Sequence, residues 1–268
     1  MLEKIISGKQ QKPRRIVLYG PDGVGKSSWA SQADSPIFLA TEDGCDDIGV
    51  DRTPLITTFE QFNCYTSALI QEPHDYKTAV IDSADWLERL VHKAVAAKEN
   101  KTSIENIGYG KGYKLALDGW RFVLGTLDEL RKKGMTIIIL AHAKVERFEP
   151  PGSDAYDRYE LALHKHAAPV IREWADEVFF ATFDIDTIRE SGDFGRERVK
   201  AVGGRRVVHT TEAPTHLAKR RMKLPDVMPL DYSVYAEYMA THYGNTKSNN
   251  IAGIVTNGSS KKEVITNG

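Results

Sequence analysis

Five short apolar runs recur along the chain, at residues 16–19, 37–40, 78–81, 136–141 and 178–183, each bounded by turn-forming residues. Near-continuous apolar runs of this length predict strands buried on both faces. Between them lie helical periodicities. Trp86, Leu87, Leu90, Val91 and Val95 fall on one face, and so do Trp120, Val123, Leu124, Leu127 and Leu130. Strands alternating with helices predict an α/β domain around a mostly parallel sheet. Beyond Phe183 the texture changes: residues 198–202 and 206–210 flank Gly203-Gly204 and are expected to form a β-hairpin. Two polar stretches, 98–113 and 144–168, are expected to leave the carboxyl edge of the sheet as long loops, on the side where open α/β folds bind ligands. From 244 on, the chain is Asn, Ser, Thr, Gly and Lys with few large apolar residues. The expected division is an N-terminal extension over 1–13, a folded core over 14–243 and a disordered tail over 244–268.

The first apolar run leads into Gly20-Pro21-Asp22-Gly23-Val24-Gly25-Lys26-Ser27, a complete G-x-x-x-x-G-K-S phosphate loop, followed by Ser28-Trp29-Ala30, which can open a helix. The glycines let the backbone wrap an oxyanion so that successive N–H groups point inward, and the following helix start adds a positive dipole end. Gly20 to Ser28 are thus the expected nucleotide-binding residues. Lys26 can reach the β- and γ-phosphates, and the Ser27 hydroxyl can ligate Mg²⁺. ATP and Mg²⁺ are the expected cofactors.

Three strand tips add candidate chemistry. The run 78–81 ends in Asp82-Ser83, where an aspartate can hold the Mg²⁺ shell or merely cap the next helix; the upstream phosphate loop favours the metal role. The run 37–40 leads to Thr41-Glu42-Asp43, where Glu42 is the first choice for a carboxylate that orients water, against a solvated acid in a turn it shares with Asp43, Asp46 and Asp47. The run 136–141 ends at His142, either a γ-phosphate sensor or a satisfied core histidine. A zinc set of His142, His164 and His166 fits no standard spacing.

Composition narrows the setting. The 268 residues, 41% hydrophobic and 27% charged, suffice for one sizeable core, and a net charge of −1 leaves any nucleic-acid surface to a local patch. Two cysteines without a C-x-x-C argue for a reducing compartment. Residues 1–13 lack the apolar stretch of a signal peptide, and no apolar run approaches a membrane span, so a soluble intracellular protein without a membrane partner is expected.

The order of these parts resembles the RecA-like recombinase core: phosphate loop, Phe38-Leu39-Ala40-Thr41-Glu42-Asp43, Ile81-Asp82-Ser83, a Gly-rich stretch, then Ile137-Ile138-Ile139-Leu140-Ala141-His142. More specifically, residues 142–151, 156–161, 173–176 and 203–207 look like a bacteriophage group of short RecA-like P-loop ATPases associated with single-strand annealing. The resemblance covers roughly 14–230. It implies that Glu42 activates water, that His142 senses the γ-phosphate, and that the stretches 98–113 and 144–166 bind single-stranded DNA. It also implies the cytoplasm of an infected bacterial host, and annealing or assistance to a partner recombinase rather than full strand exchange. RecA itself carries an amide at the position of His142.

The DNA reading has a physical case as well. The first stretch carries Lys98, Lys101, Lys111 and Lys114 with Tyr109 and Tyr113; the second carries Lys144, Arg147, Arg158 and Lys165 with Phe148, Tyr156 and Tyr159. Cations can track phosphates and rings can stack on unpaired bases, although acids intersperse both stretches. RecA-like ATPases also bind ATP at a subunit interface, so a homo-oligomeric ring or filament is implied. Lys219 and Arg221 are the first candidates to reach a neighbour's γ-phosphate, with Arg205 and Arg206 next, against a solvated basic turn. A single-strand-binding protein is a further possible partner. The rivals are a helicase or loader ATPase, a small-molecule kinase, and a nucleotide-gated binding module.

Overall fold

The structure, a computed structural model, describes residues 10–191 and 197–244 with positions 5 and 8; residues 186–191 and 197–202 are described by backbone alone. The tail predicted over 244–268 lies outside these residues from 245 on, as does part of the predicted extension over 1–13.

Among the described residues nine strands form one sheet. They are β1 (Arg15–Gly20), β2 (Pro36–Ala40), β3 (Asp51–Arg52), β4 (Thr78–Asp82), β5 (Thr136–Phe148), β6 (Tyr156–Leu161), β7 (Glu177–Ser191), β8 (Glu197–His209) and β9 (Val227–Pro229). The order is β3-β2-β4-β5-β1-β7-β8-β9, with β6 paired to β5. The first six strands of that order run parallel, and β8, β9 and β6 add antiparallel pairs.

The apolar runs are continuous because both faces are covered. Val17, Tyr19, Ile137, Ile139, Val178 and Phe180 face one layer of helices, α2 (Phe59–Gln71), α3 (Ala84–Lys98), α4 (Lys111–Lys132) and α5 (Ala167–Trp174). The alternate residues Ile16, Leu18, Ile138, Leu140 and Phe179 face α1 (Lys26–Ala30) and α6 (Tyr232–His242). The predicted stripe on α4 is wholly buried, whereas Trp86 on α3 is 38% exposed and packs under Arg89. Helix α2 starts with a capping box, Thr58 accepting from the Gln61 N–H while the Gln61 side chain accepts from the Thr58 N–H.

Three expectations are corrected. Gly203-Gly204 is not a hairpin turn: both flanking segments belong to β8, which pairs with β7. The two glycines, at φ +110° and +133°, sit where the register shifts opposite Asp184/Ile185, so they absorb a bulge that a side chain would resist. The stretch 144–168 is not one long loop. Strand β5 runs on past His142 to Phe148 and turns back as β6, placing Lys144 opposite Glu160, Glu146 opposite Arg158 and Arg147 opposite Asp157. The ion pairs that close on this arm run along each strand, Lys144 with Glu146 and Arg158 with Glu160. The stretch 98–113 is also more ordered than a loop, because Ile104 and Ile107 are buried around a 3₁₀ turn and α4 begins at Lys111.

Parallel register brings the strand ends together. Gly20 lies beside His142, and Ala40 beside Asp82. Every candidate at a strand tip therefore reaches one carboxyl edge of the sheet.

Candidate nucleotide site

The phosphate loop leaves β1 where β1 is flanked by β5 and β7. A Cβ on Gly20 would lie 2.2 Å from the Ala181 carbonyl oxygen, so only glycine lets the strands meet at this exit. Gly25 stands at φ +104°, left-handed backbone that a side chain strains. Helix α1 is only five residues long. The oxyanion cradle accordingly consists of loop N–H groups and Lys26, with little support from a long helix dipole.

Lys26 is buried, and its Nζ donates to the carbonyls of Gly20 at 3.1 Å and Pro21 at 3.0 Å. Burial pushes its pKa down, with Asp22, Asp82 and Glu42 pulling the other way. A triphosphate offers this desolvated ammonium a stronger partner than the two carbonyls.

Asp82 is 6% exposed and does not cap α3; the N-cap is Ser83. Its Oδ2 accepts from the Ser27 hydroxyl at 2.6 Å and from the Cys45 thiol at 3.2 Å. Burial and the adjacent Asp82 charge push the Cys45 thiol up to about 12, which leaves it a neutral donor. A hydroxyl and a carboxylate held together beside the loop form a hard-oxygen set, and it fits Mg²⁺.

Of the acids following β2, Glu42 alone faces this pocket; Asp43, Asp46 and Asp47 are exposed. Its Oε2 accepts from Ser83 Oγ at 2.9 Å, and its Oε1 lies 3.9 Å from His142 Nε2. His142 is not an isolated core histidine. Asp85 accepts from its backbone N–H at 3.1 Å and pairs with Nδ1 at 2.9 Å, while Nε2 stands 3.3 Å from Asp22. The hydrogen bond to Asp85 raises the His142 pKa despite burial. Burial acts to raise that of Asp85, but its bonds from His142 outweigh this and hold it low. Asp85 is the residue that sequence reasoning missed. Its one signal was an acid in the first turn of the helix after Asp82, which reads as ordinary helix-start chemistry.

Glu42, Asp85 and His142 are the one group of potential metal ligands among the described residues, and it includes neither His164 nor His166. His164 instead stacks on Tyr113 at 4.0 Å. The zinc set is not assembled.

The two polar stretches differ in what they leave free. Lys101, Tyr109 and Lys111 are exposed, and Tyr109 projects fully into solvent. On the β5–β6 arm, Arg158 lies 4.0 Å from the Phe148 ring centroid and pairs with Glu160 at 2.5 Å. Lys144 pairs with Glu146 at 2.9 Å, Arg147 lies 3.8 Å from Glu149, and Lys165 is exposed.

The four basic candidates for a neighbour's site are scattered. Lys219 donates to the carbonyls of Arg172, Glu173 and Ala175 at the end of α5. Arg221 pairs with Asp176 at 3.3 Å and Arg205 with Asp184 at 2.9 Å. Arg206 lines the pocket of its own phosphate loop.

The profile of a family described as AAA domain matches residues 12–222. Among solved structures, the KaiC-like protein of the hyperthermophilic archaeon Pyrococcus horikoshii OT3 is similar at 12% identity, with 81% of this chain and 85% of that chain covered and a TM-score of 0.42. No curated protein matches the chain.

Proposed function

The chain belongs to the AAA domain family, a nucleotide-binding P-loop ATPase domain, and from that premise we propose an ATPase that hydrolyses Mg²⁺-bound ATP and couples turnover to single-stranded DNA in phage recombination or strand annealing. The observation that carries the catalytic part is the convergence of Lys26, Ser27, Asp82, Glu42 and His142 on one pocket.

In this reading the loop N–H groups and Lys26 hold the β- and γ-phosphates. Ser27 and Asp82 hold Mg²⁺, which when bound offsets charge on the phosphate oxygens. Glu42, kept in place by Ser83, orients a water for in-line attack on the γ-phosphorus. As the water oxygen bonds to phosphorus, the bond to the β–γ bridging oxygen breaks, ADP leaves, and the water proton passes to the carboxylate or to the phosphate product. His142, fixed by Asp85, presents Nε2 to the γ-phosphate side of the pocket and reports its loss to the β5–β6 arm that continues from the same strand.

The DNA part draws on the resemblance at residues 142–176 and on the exposed Lys101, Tyr109 and Lys111, which combine cations with a fully exposed ring. Assembly into a homo-oligomer, and work alongside a single-strand-binding protein, belong to the same proposal.

The test is steady-state ATP hydrolysis with and without single-stranded DNA. Stimulation by DNA is expected, and Lys26→Ala and Glu42→Gln should each lower turnover by about a hundredfold or more. Turnover indifferent to DNA would remove the recombination role and favour a kinase or another motor. Loss in neither variant would overturn the catalytic assignment.

A further inference from the structure

The notable feature of the pocket's other flank is Arg206. Strand order sets Glu42, just past β2, Asp82, at the end of β4, and His142, within β5, on one side of the phosphate loop, while β7 and β8 form the other side. Arg206 stands on β8, two strands from β1, and its side chain lines the pocket together with Gly25 and Lys26 of the loop that follows β1. The chain fixes it there at two levels. The Gly203-Gly204 bulge lies just before it, and its carbonyl accepts from the Leu230 N–H at 3.1 Å. Its Nη1 reaches 3.1 Å from where a Cβ on Gly25 would be, so the guanidinium rests against the loop itself.

Its charge is also unspent. Lys219, Arg221 and Arg205 are committed to carbonyls or carboxylates within the chain, whereas among the described residues the Arg206 guanidinium has no ion pair and no hydrogen bond. A guanidinium without an anion, laid against a phosphate cradle that also holds Lys26, is a bidentate donor awaiting phosphate oxygens.

We infer that Arg206 binds the phosphates of the nucleotide held by its own chain, from the flank opposite Glu42, and so is a cis-acting binding residue. This rests on the nucleotide reading of the pocket given above. Because it approaches from the flank away from the attacking water, it engages the α- and β-phosphates. ADP and ATP should therefore feel its loss alike.

The experiment measures the affinity of Mg²⁺-ADP and Mg²⁺-ATP for the full chain by calorimetry, for wild type, Arg206→Ala, Arg206→Lys, Arg205→Ala and Lys26→Ala. Arg206→Ala should weaken both nucleotides by about tenfold. Arg206→Lys should recover part of that, and Arg205→Ala should match wild type. Turnover is then read for Arg206→Ala mixed with Lys26→Ala at sub-saturating ATP. A cis residue gives no gain beyond the sum of the two proteins; a gain would show Arg206 serving a neighbour and overturn the inference. Wild-type affinity in Arg206→Ala alongside lost binding in Lys26→Ala would also overturn it while leaving the pocket intact. Unchanged binding in Lys26→Ala would instead sink the reading on which it rests.

Discussion

At the scale of single residues, the site is a set of charges each held by a neighbour. Asp85 is the clearest instance, since it fixes both the backbone and the ring of His142. The His142 pKa stands above its ordinary value of 6.5, through that hydrogen bond first and against the cost of burial. Asp22, Glu42 and Lys26 face the same ring from the phosphate loop, from the end of β2 and from α1. A raised imidazole keeps its charge to higher pH than an ordinary one and loses it as pH rises through its folded value. Any help it gives a γ-phosphate therefore fades on the alkaline side. Affinity for Mg²⁺-ATP should decline above pH 6.5, and His142→Gln should flatten that limb. An unchanged pH profile in the variant would separate His142 from the nucleotide. The stability of the His142–Asp85 pair follows the same sign on the alkaline side. On the acid side it is lost as pH falls through the depressed Asp85 value, below 3.8.

At the scale of elements, the arm built from β5 and β6 and the turn before α4 divide structure from exposure. Arg158 is occupied by Phe148 and Glu160, so it supports the arm's own packing. Arg158→Ala should cost about 1 kcal/mol, visible as faster amide exchange in β6, with single-strand affinity nearly intact. Tyr109 has no such duty. Tyr109→Ala should weaken single-stranded DNA binding by about 1–3 kcal/mol, the range for one stacked base, measured by fluorescence anisotropy at fixed salt. The reverse pattern would make Arg158, and not Tyr109, the DNA contact. The arm was hard to read from sequence because its alternation of charges looks like a solvated loop until the two strands pair. The missed α2, by contrast, carried a readable Thr58-x-x-Gln61 signature.

Across the whole molecule, the carboxyl edge of the sheet holds the nucleotide pocket and the amino edge holds a stabilising ion network. Asp176, with a side chain 3% exposed, accepts from the Arg15 N–H and pairs with Arg15, Arg131 and Arg221. Burial works to raise its pKa, but the arginines prevail and the value is held below 3.8. Such a group adds stability above pH 3.8 and loses it as pH falls through the depressed value. Asp176→Asn should cost about 2 kcal/mol at neutral pH and less in acid, as denaturant unfolding at several pH values would reveal; an equal loss at every pH would mean that packing, not charge, is what matters there. Among the described residues no helix is long and apolar enough to cross a membrane. The phosphate loop, the buried strands, the α4 stripe and the candidacy of Lys26, Ser27, Asp82 and Glu42 were all legible in the chain, because each depends on local spacing and on backbone freedom at a few glycines. Tertiary structure decided the rest. The bulge at Gly203-Gly204, the pairing of Asp85 with His142, and the placing of Arg206 over Gly25 all join residues far apart in the chain. Their partners are set by strand order and register, which no local pattern encodes.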